Sequence, residues 1–205
     1  MSPVDLFLGI RFLFARDCLD APRPQPTSET EEGLLRVTVV ELEKNSGRSI
    51  ELISALCQLL ECVLTGDTIS EDTFPLAERT WELCQNTLGP KDPRTLTARF
   101  RMCQALAALG KYAEADAICM EVIDAHISQS RPDYPELEEH LSVRAWLLKA
   151  QGNYREAQVL YKEALVVLNR GSNSPSSIAR VRVLRGLGEC HNILHSPTDA
   201  ELAFR

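Results

Sequence analysis

Side chains able to do chemistry cluster at three places in this chain. Cys190, His191 and His195 bring a thiol and two imidazoles together, with His191 and His195 one helical turn apart. Zinc needs three or four ligands with tetrahedral access, and no Cys-x-x-Cys spacing completes a set, so core or surface roles are favoured over a metal site. Glu138-Glu139-His140 sets acids beside an imidazole but lacks the second His of a metallopeptidase helix, and reads as an ordinary charged helix start. Arg170, Arg180, Arg182 and Arg185 lie in a stretch free of acids. They could face an anionic partner, although a solvated helix face whose neighbour supplies Asp and Glu explains so short a run better. The chain has no phosphate-cradling Gly-x-x-x-x-Gly-Lys-Ser/Thr loop, no Gly-x-Gly-x-x-Gly and no Gly-x-Ser-x-Gly elbow. Without a named nucleophile, no enzyme and no cofactor is expected.

Composition narrows the classes further. The 205 residues are 44% apolar and 25% charged, which is globular rather than disordered. Aromatics are only 6%, and Leu and Ala dominate, which favours helices over sheets. The net charge of −7 argues against nucleic acid, whose binders present a basic face. Seven cysteines, an odd number, are scattered through apolar helical patterns and read as reduced thiols rather than a disulfide framework. The start, Val4 to Ala15, carries Asp5 and Arg11 without a basic leader and is too short to span a bilayer, which needs about 20 apolar residues. A cytoplasmic protein without membrane contact is expected.

Helical periodicity places the elements that must position these residues. Ser2, Pro3 and the spacing of Leu6, Ile10, Leu13 and Phe14 predict an N-terminal helix over 1–20. Pro22, Pro24 and Pro26 predict an extended linker over 21–29. Leu35, Val39 and Leu42 predict a further helix over 30–47, although the β-branched run Val37 to Val40 would also suit a strand. From Arg48 onward, helical stretches alternate with breakers at Gly66, Gly89-Pro90, Gly110, Arg131-Pro132, Gly152, Gly171 to Pro175 and Ser196-Pro197. The fold class expected is all-α.

The breakers recur. Gly110 to Ile123 and Gly152 to Leu165 match at Gly110/Gly152, Tyr112/Tyr154, Glu114/Glu156, Ala115/Ala157 and Glu121/Glu163, always 42 residues apart. Five identities in fourteen positions compare with about one expected by chance. Pro90 and Pro93 recur as Pro132 and Pro135, and one residue out of step Leu141 recurs as Leu184 and Ala157 as Ala200. Each unit then reads as two helices joined at a glycine turn. Small residues at Ala115, Ala157 and Ala200 allow close approach, and four residues after the last two, Tyr161 and Phe204 fill the next gap. Such a hairpin buries its apolar stripe only by stacking on the next. The architecture expected over 48–205 is an α-solenoid of stacked antiparallel helix pairs, about four of them with the last truncated.

These residues resemble the tetratricopeptide repeats, and among them the 42-residue kinesin-light-chain type. Leu88-Gly89-Pro90-Lys91-Asp92-Pro93-Arg94-Thr95-Leu96 leads into Gly110-Lys111-Tyr112-Ala113-Glu114-Ala115, with Asp92 where that type has His. The next unit keeps Pro132, Pro135, Gly152, Tyr154, Glu156 and Ala157, and in the last Gly188 and Phe204 stand at the small and aromatic positions. The resemblance implies a non-catalytic module that binds a peptide or protein segment on a concave wall lined by the first helix of each pair. Registered on it, Arg101, Gln104, Trp146, Lys149, Arg185, Glu189 and Asn192 face that wall. Cationic side chains there would grip an acidic segment, and Trp146 would supply an apolar anchor. Two other readings stay open: the detached repeat region of a nucleotide-binding signalling protein, and an accessory factor in a biosynthetic pathway. The last helix stops at Phe204-Arg205, so self-association through an uncapped end, a downstream continuation or marginal solubility is also expected.

Overall fold

The computed structural model describes residues 27–46, 50–66, 72–128, 136–170 and 177–195. The expected N-terminal helix, most of the Pro-rich linker, and Pro132, Pro135, Ala200 and Phe204 lie outside them. The described residues form eight helices and no strand, in two compact units that divide after Gly110.

The first unit contains α1 (Thr27–Ser46), α2 (Ile50–Thr65), α3 (Thr73–Leu88) and α4 (Pro93–Ala108). α1 begins at Thr27, inside the stretch expected as linker. The Val37 to Val40 run is helical because Val39 is buried against α2 while Val37 and Val40 point outward. Packing of the Leu35/Val39/Leu42 stripe on Leu52, Ala55, Leu56, Leu59 and Val63 overrides the local β preference. α2 is apolar on nearly every side, and eight of its residues are buried. Truncating Leu56 or Leu60 to alanine there would cost about 2–5 kcal/mol. α3 ends at Gly89, and Asp92 caps α4 by accepting a 2.9 Å hydrogen bond from the Arg94 amide, with Pro93 at the first helical position.

The second unit contains α5 (Tyr112–Ser128), α6 (Leu137–Ala150), α7 (Tyr154–Arg170) and α8 (Ser177–His195). Consecutive helices pack together, and α6 also touches α8. The α6–α7 turn shows why the repeat keeps a glycine. Gly152 has φ +86°, its amide donates to Lys149 O at 3.0 Å, and the Asn153 amide donates to Leu148 O at 2.8 Å. This double closure satisfies the last carbonyls of α6 and requires a left-handed residue, which glycine adopts without a Cβ penalty. Gly110, with φ +77°, closes α4 in the same backbone conformation. Ala115 and Ala157 are fully buried, and Tyr161 is buried against Gly186 of α8. Aromatic and small residues therefore interlock at the α7–α8 contact.

Candidate binding surface

Seven wall residues were expected, and the structure sorts them by what they touch. In the first unit, Arg101 on α4 donates from Nη1 to Gln104 Oε1 at 2.8 Å and pairs through Nη2 with Glu61 of α2 at 3.5 Å. Gln104 is wholly buried, and its Nε2 has no hydrogen-bond partner among the described residues. It therefore lies beneath the surface and braces Arg101 rather than meeting a partner.

In the second unit the first helices of successive pairs, α6 and α8, are joined by two charge clusters. At one end Glu138, buried on α6, accepts from Ser142 Oγ at 2.8 Å and from Arg182 Nη2 of α8 at 3.1 and 3.4 Å. At the other, Lys149 Nζ donates to Glu189 Oε2 at 2.5 Å, and Arg185 Nε donates to Glu189 Oε1 at 3.0 Å. Burial alone would raise the Glu189 carboxyl. The hydrogen bonds and charges of Lys149 and Arg185 outweigh it and hold the group below its ordinary value. Asn192 is exposed on the next turn of α8.

Trp146 does not reach this surface. It is buried on α6 and meets Tyr112 of α5 edge to face, with ring centroids 5.7 Å apart. It fills the gap between two helices. Of the structural positions expected, Tyr112 and Tyr154 are half-buried at the starts of α5 and α7, and Gly188 is exposed on α8.

Glu61, Glu138 and Arg182 were missed as a set, and Glu138 is no ordinary helix-start charge. The signal was present in the spacing. Glu138 and Arg182 are 44 residues apart, Lys149 and Glu189 are 40 apart, and Glu61 and Arg101 differ by 101 − 61 = 40. Opposite charges near one repeat length apart fall on equivalent faces of first helices. The arginine stretch is accordingly supplied with acceptors: Arg180 bonds Asn169, Arg182 bonds Glu138, and Arg185 bonds Glu189.

Cys190 is buried, and burial pushes its thiol up. Among the described residues no group of three or more His, Cys, Asp or Glu is placed to hold a metal ion. A groove of about 400 Å³ between α5, α6 and α7 is lined by Ile127, Leu137, Leu141, Val159, Val166 and Val167, with Lys162, Glu163 and Arg170 also lining it. No helix among the described residues is long and apolar enough to cross a membrane.

Comparison with known proteins agrees with this architecture. Residues 99–170 match the tetratricopeptide repeat family. Two crystal structures of nearly identical TPR-like repeats, from a Podosopora anserina protein named as a kinesin light chain, share the fold. A single-substitution variant of that protein aligns with a TM-score of 0.69 at 15% identity, over 98% of this chain and 90% of that one. The form without the substitution aligns at 0.68, with the same identity and coverage. No curated protein matches the chain. Residues 99–170 thus carry tetratricopeptide repeats, and the described residues have an all-α, TPR-like fold.

Proposed function

From the repeats as premise, we propose that the chain is a non-catalytic, cytoplasmic scaffold or regulatory module that receives an acidic partner segment on the α6–α8 surface. The observation that supports this reading is the Lys149–Glu189–Arg185 cluster. Two cations meet at one carboxylate there, on an otherwise acidic protein, with the exposed Asn192 amide one turn away. A guanidinium and an ammonium side by side suit a carboxylate, which can also accept from the amide. Arg101 is the corresponding cation of the first unit.

An array of acidic peptides and their charge-neutral counterparts tests the proposal, with Arg185→Glu and Asn192→Ala compared against the wild-type chain. Retention of the acidic set should fall at least tenfold in the variants while helical content stays unchanged. Equal retention of neutral and acidic peptides by the wild type, or undiminished retention by the variants, removes the reading. Self-association belongs to the same proposal. Val181 and Leu184 of α8 are 52% and 49% exposed, whereas Leu141, the counterpart of Leu184 on α6, is 7% exposed. A sedimentation mass that rises with concentration and returns to monomer in Leu184→Glu would support it.

A further inference from the structure

The two described methionines, Met102 and Met120, each lie against an arginine, and they differ in what can reach the sulfur. On α4, Met102 Sδ accepts from Arg99 Nη1 at 3.6 Å, and the residue is buried at 7% exposure. On α5, Met120 is 43% exposed, and its Sδ accepts from Arg144 Nη2 of α6 at 3.1 Å. That donor is fixed from its other side. Arg144 Nε donates to Asp116 Oδ1 at 3.0 Å, and both members of this pair are mostly covered. Asp116 and Met120 stand four residues apart on α5, so one planar guanidinium bridges both from the neighbouring helix.

The bridge makes the two faces of the Met120 thioether unequal. A thioether sulfur is a weak acceptor with one lone pair on either side of its C–S–C plane. A donor at 3.1 Å engages one of them and screens that side, so the exposed residue offers its other side to a small oxidant. The two sides give different products, because a sulfoxide sulfur is chiral and a separate reductase acts on each epimer.

We propose that Met120 is a reversible oxidation site at which Arg144 selects the face, so that a peroxide forms mainly one sulfoxide epimer and one of the two reductase classes reverses it. The free sulfur lone pair attacks one peroxide oxygen, and S–O forms as O–O breaks. The proton on the transferred oxygen passes to the departing one, which leaves as water or an alcohol. Sulfur gives up two electrons, and the peroxide accepts them. In the return step two reductase thiols supply two electrons and two protons, the oxygen leaves as water, and the thiols become a disulfide. The unbranched side chain turns its new oxygen, a stronger acceptor than the sulfur, toward the guanidinium that Asp116 still holds. An apolar surface side chain thus becomes polar while the α5–α6 contact stays closed.

The test uses the full chain, folded, with excess hydrogen peroxide followed by trypsin, which places Met102 and Met120 in separate peptides, 102–111 and 112–131. Fragment spectra separate oxygen on Met120 from oxygen on Cys119. Met120 should gain one oxygen about tenfold faster than Met102. The 112–131 peptide, divided between the two stereospecific reductases, should be restored by one about fivefold more fully than by the other. Arg144→Leu, which removes the donor, should bring that ratio close to even, as should oxidation of the wild-type chain in guanidinium chloride. Should Arg144→Leu fail to fold, the folded and unfolded wild-type chains still decide. Equal restoration by both reductases after oxidation of the folded chain, an unchanged ratio in folded Arg144→Leu, Met102 oxidised as fast as Met120, or loss of helical content on oxidation would each overturn the proposal.

Discussion

Two glycines two residues apart in α8 offer a controlled pair of substitutions. Replacing either by alanine removes the same backbone penalty, worth about 0.8–1 kcal/mol in favour of the helix. Their surroundings then set the sign. A Cβ on Gly186 would stand 2.3 Å from Tyr161 Cζ, 2.6 Å from its hydroxyl oxygen and 2.7 Å from Cε1. All three fall far inside the ~3.5–4.0 Å of ordinary carbon contact. Tyr161 is buried, and burial raises its hydroxyl above the usual tyrosine range, so its ring cannot move aside without displacing α7. Overpacking of this kind costs about 1–3 kcal/mol. Gly186→Ala should therefore be at best as stable as the parent and at worst about 2 kcal/mol less stable, once the helix gain is counted. Gly188 has no described atom within 4 Å of a built Cβ, so Gly188→Ala keeps the gain of about 0.8–1 kcal/mol. Urea denaturation followed by far-UV circular dichroism and by the fluorescence of Trp81 and Trp146 reads the difference. Tyr161→Leu should restore part of the loss in the Gly186→Ala background and none elsewhere. Equal midpoints for the two alanine variants would refute the close α7–α8 packing on which the calculation rests.

Two further outcomes follow from buried polar groups of the second unit. Arg182→Met leaves the Glu138 carboxylate buried with Ser142 alone. It should cost about 3 kcal/mol, the low end for breaking a buried pair because Arg182 is partly exposed, whereas Glu138→Gln with Arg182→Met should recover much of that in the same urea titration. His126, buried and stacked on His140 at 5.1 Å, has its imidazole pushed below the ordinary value by burial. The unfolded chain then binds the proton more readily. Its contribution is complete above pH ~6.5 and is lost as pH falls from there toward the folded value, at no more than about 1.4 kcal/mol per pH unit. His126→Gln should flatten a plot of unfolding midpoint between pH 7.5 and 5.5. An unchanged slope would place the pH sensitivity elsewhere.

Periodicity was legible where backbone chemistry enforces it. Gly110 and Gly152 had to be glycines because each turn runs through a positive φ, and Ala115 and Ala157 had to be small because they are fully enclosed. The aromatic four residues on was readable for the same reason, since Tyr161 fills space that Gly186 leaves. Side-chain direction was less legible. On a helix one residue is about 100° of rotation, so a register right to within one position cannot separate a wall residue from one beneath it. Trp146 and Gln104 are buried and fell on the inner side of that uncertainty, whereas Arg185 and Asn192 are exposed. Glu138 was misread because acids at a helix start are ordinarily solvated, and its partner lay a full repeat away in sequence.

The charge clusters joining α6 and α8 are not equivalent, and the difference bears on binding. Glu138 is enclosed and accepts from two donors, so withdrawing Arg182 from it leaves a desolvated carboxylate and is strongly resisted. Glu189 and Arg185 are both half-exposed, and a pair of that kind is worth about 0–1 kcal/mol because water replaces the lost partner at little cost, whereas Lys149 is mostly covered. In the proposed binding, a carboxylate from another chain would take the place of Glu189 beside Arg185 at small expense. The cations arrive already aligned by the contact they give up. One end of the α6–α8 seam holds the helices in register, and in the proposed binding the other would supply a charge-paired position that an acidic segment enters by exchange. Such exchange predicts attraction that weakens with salt, since the competing pairs lie within reach of screening ions.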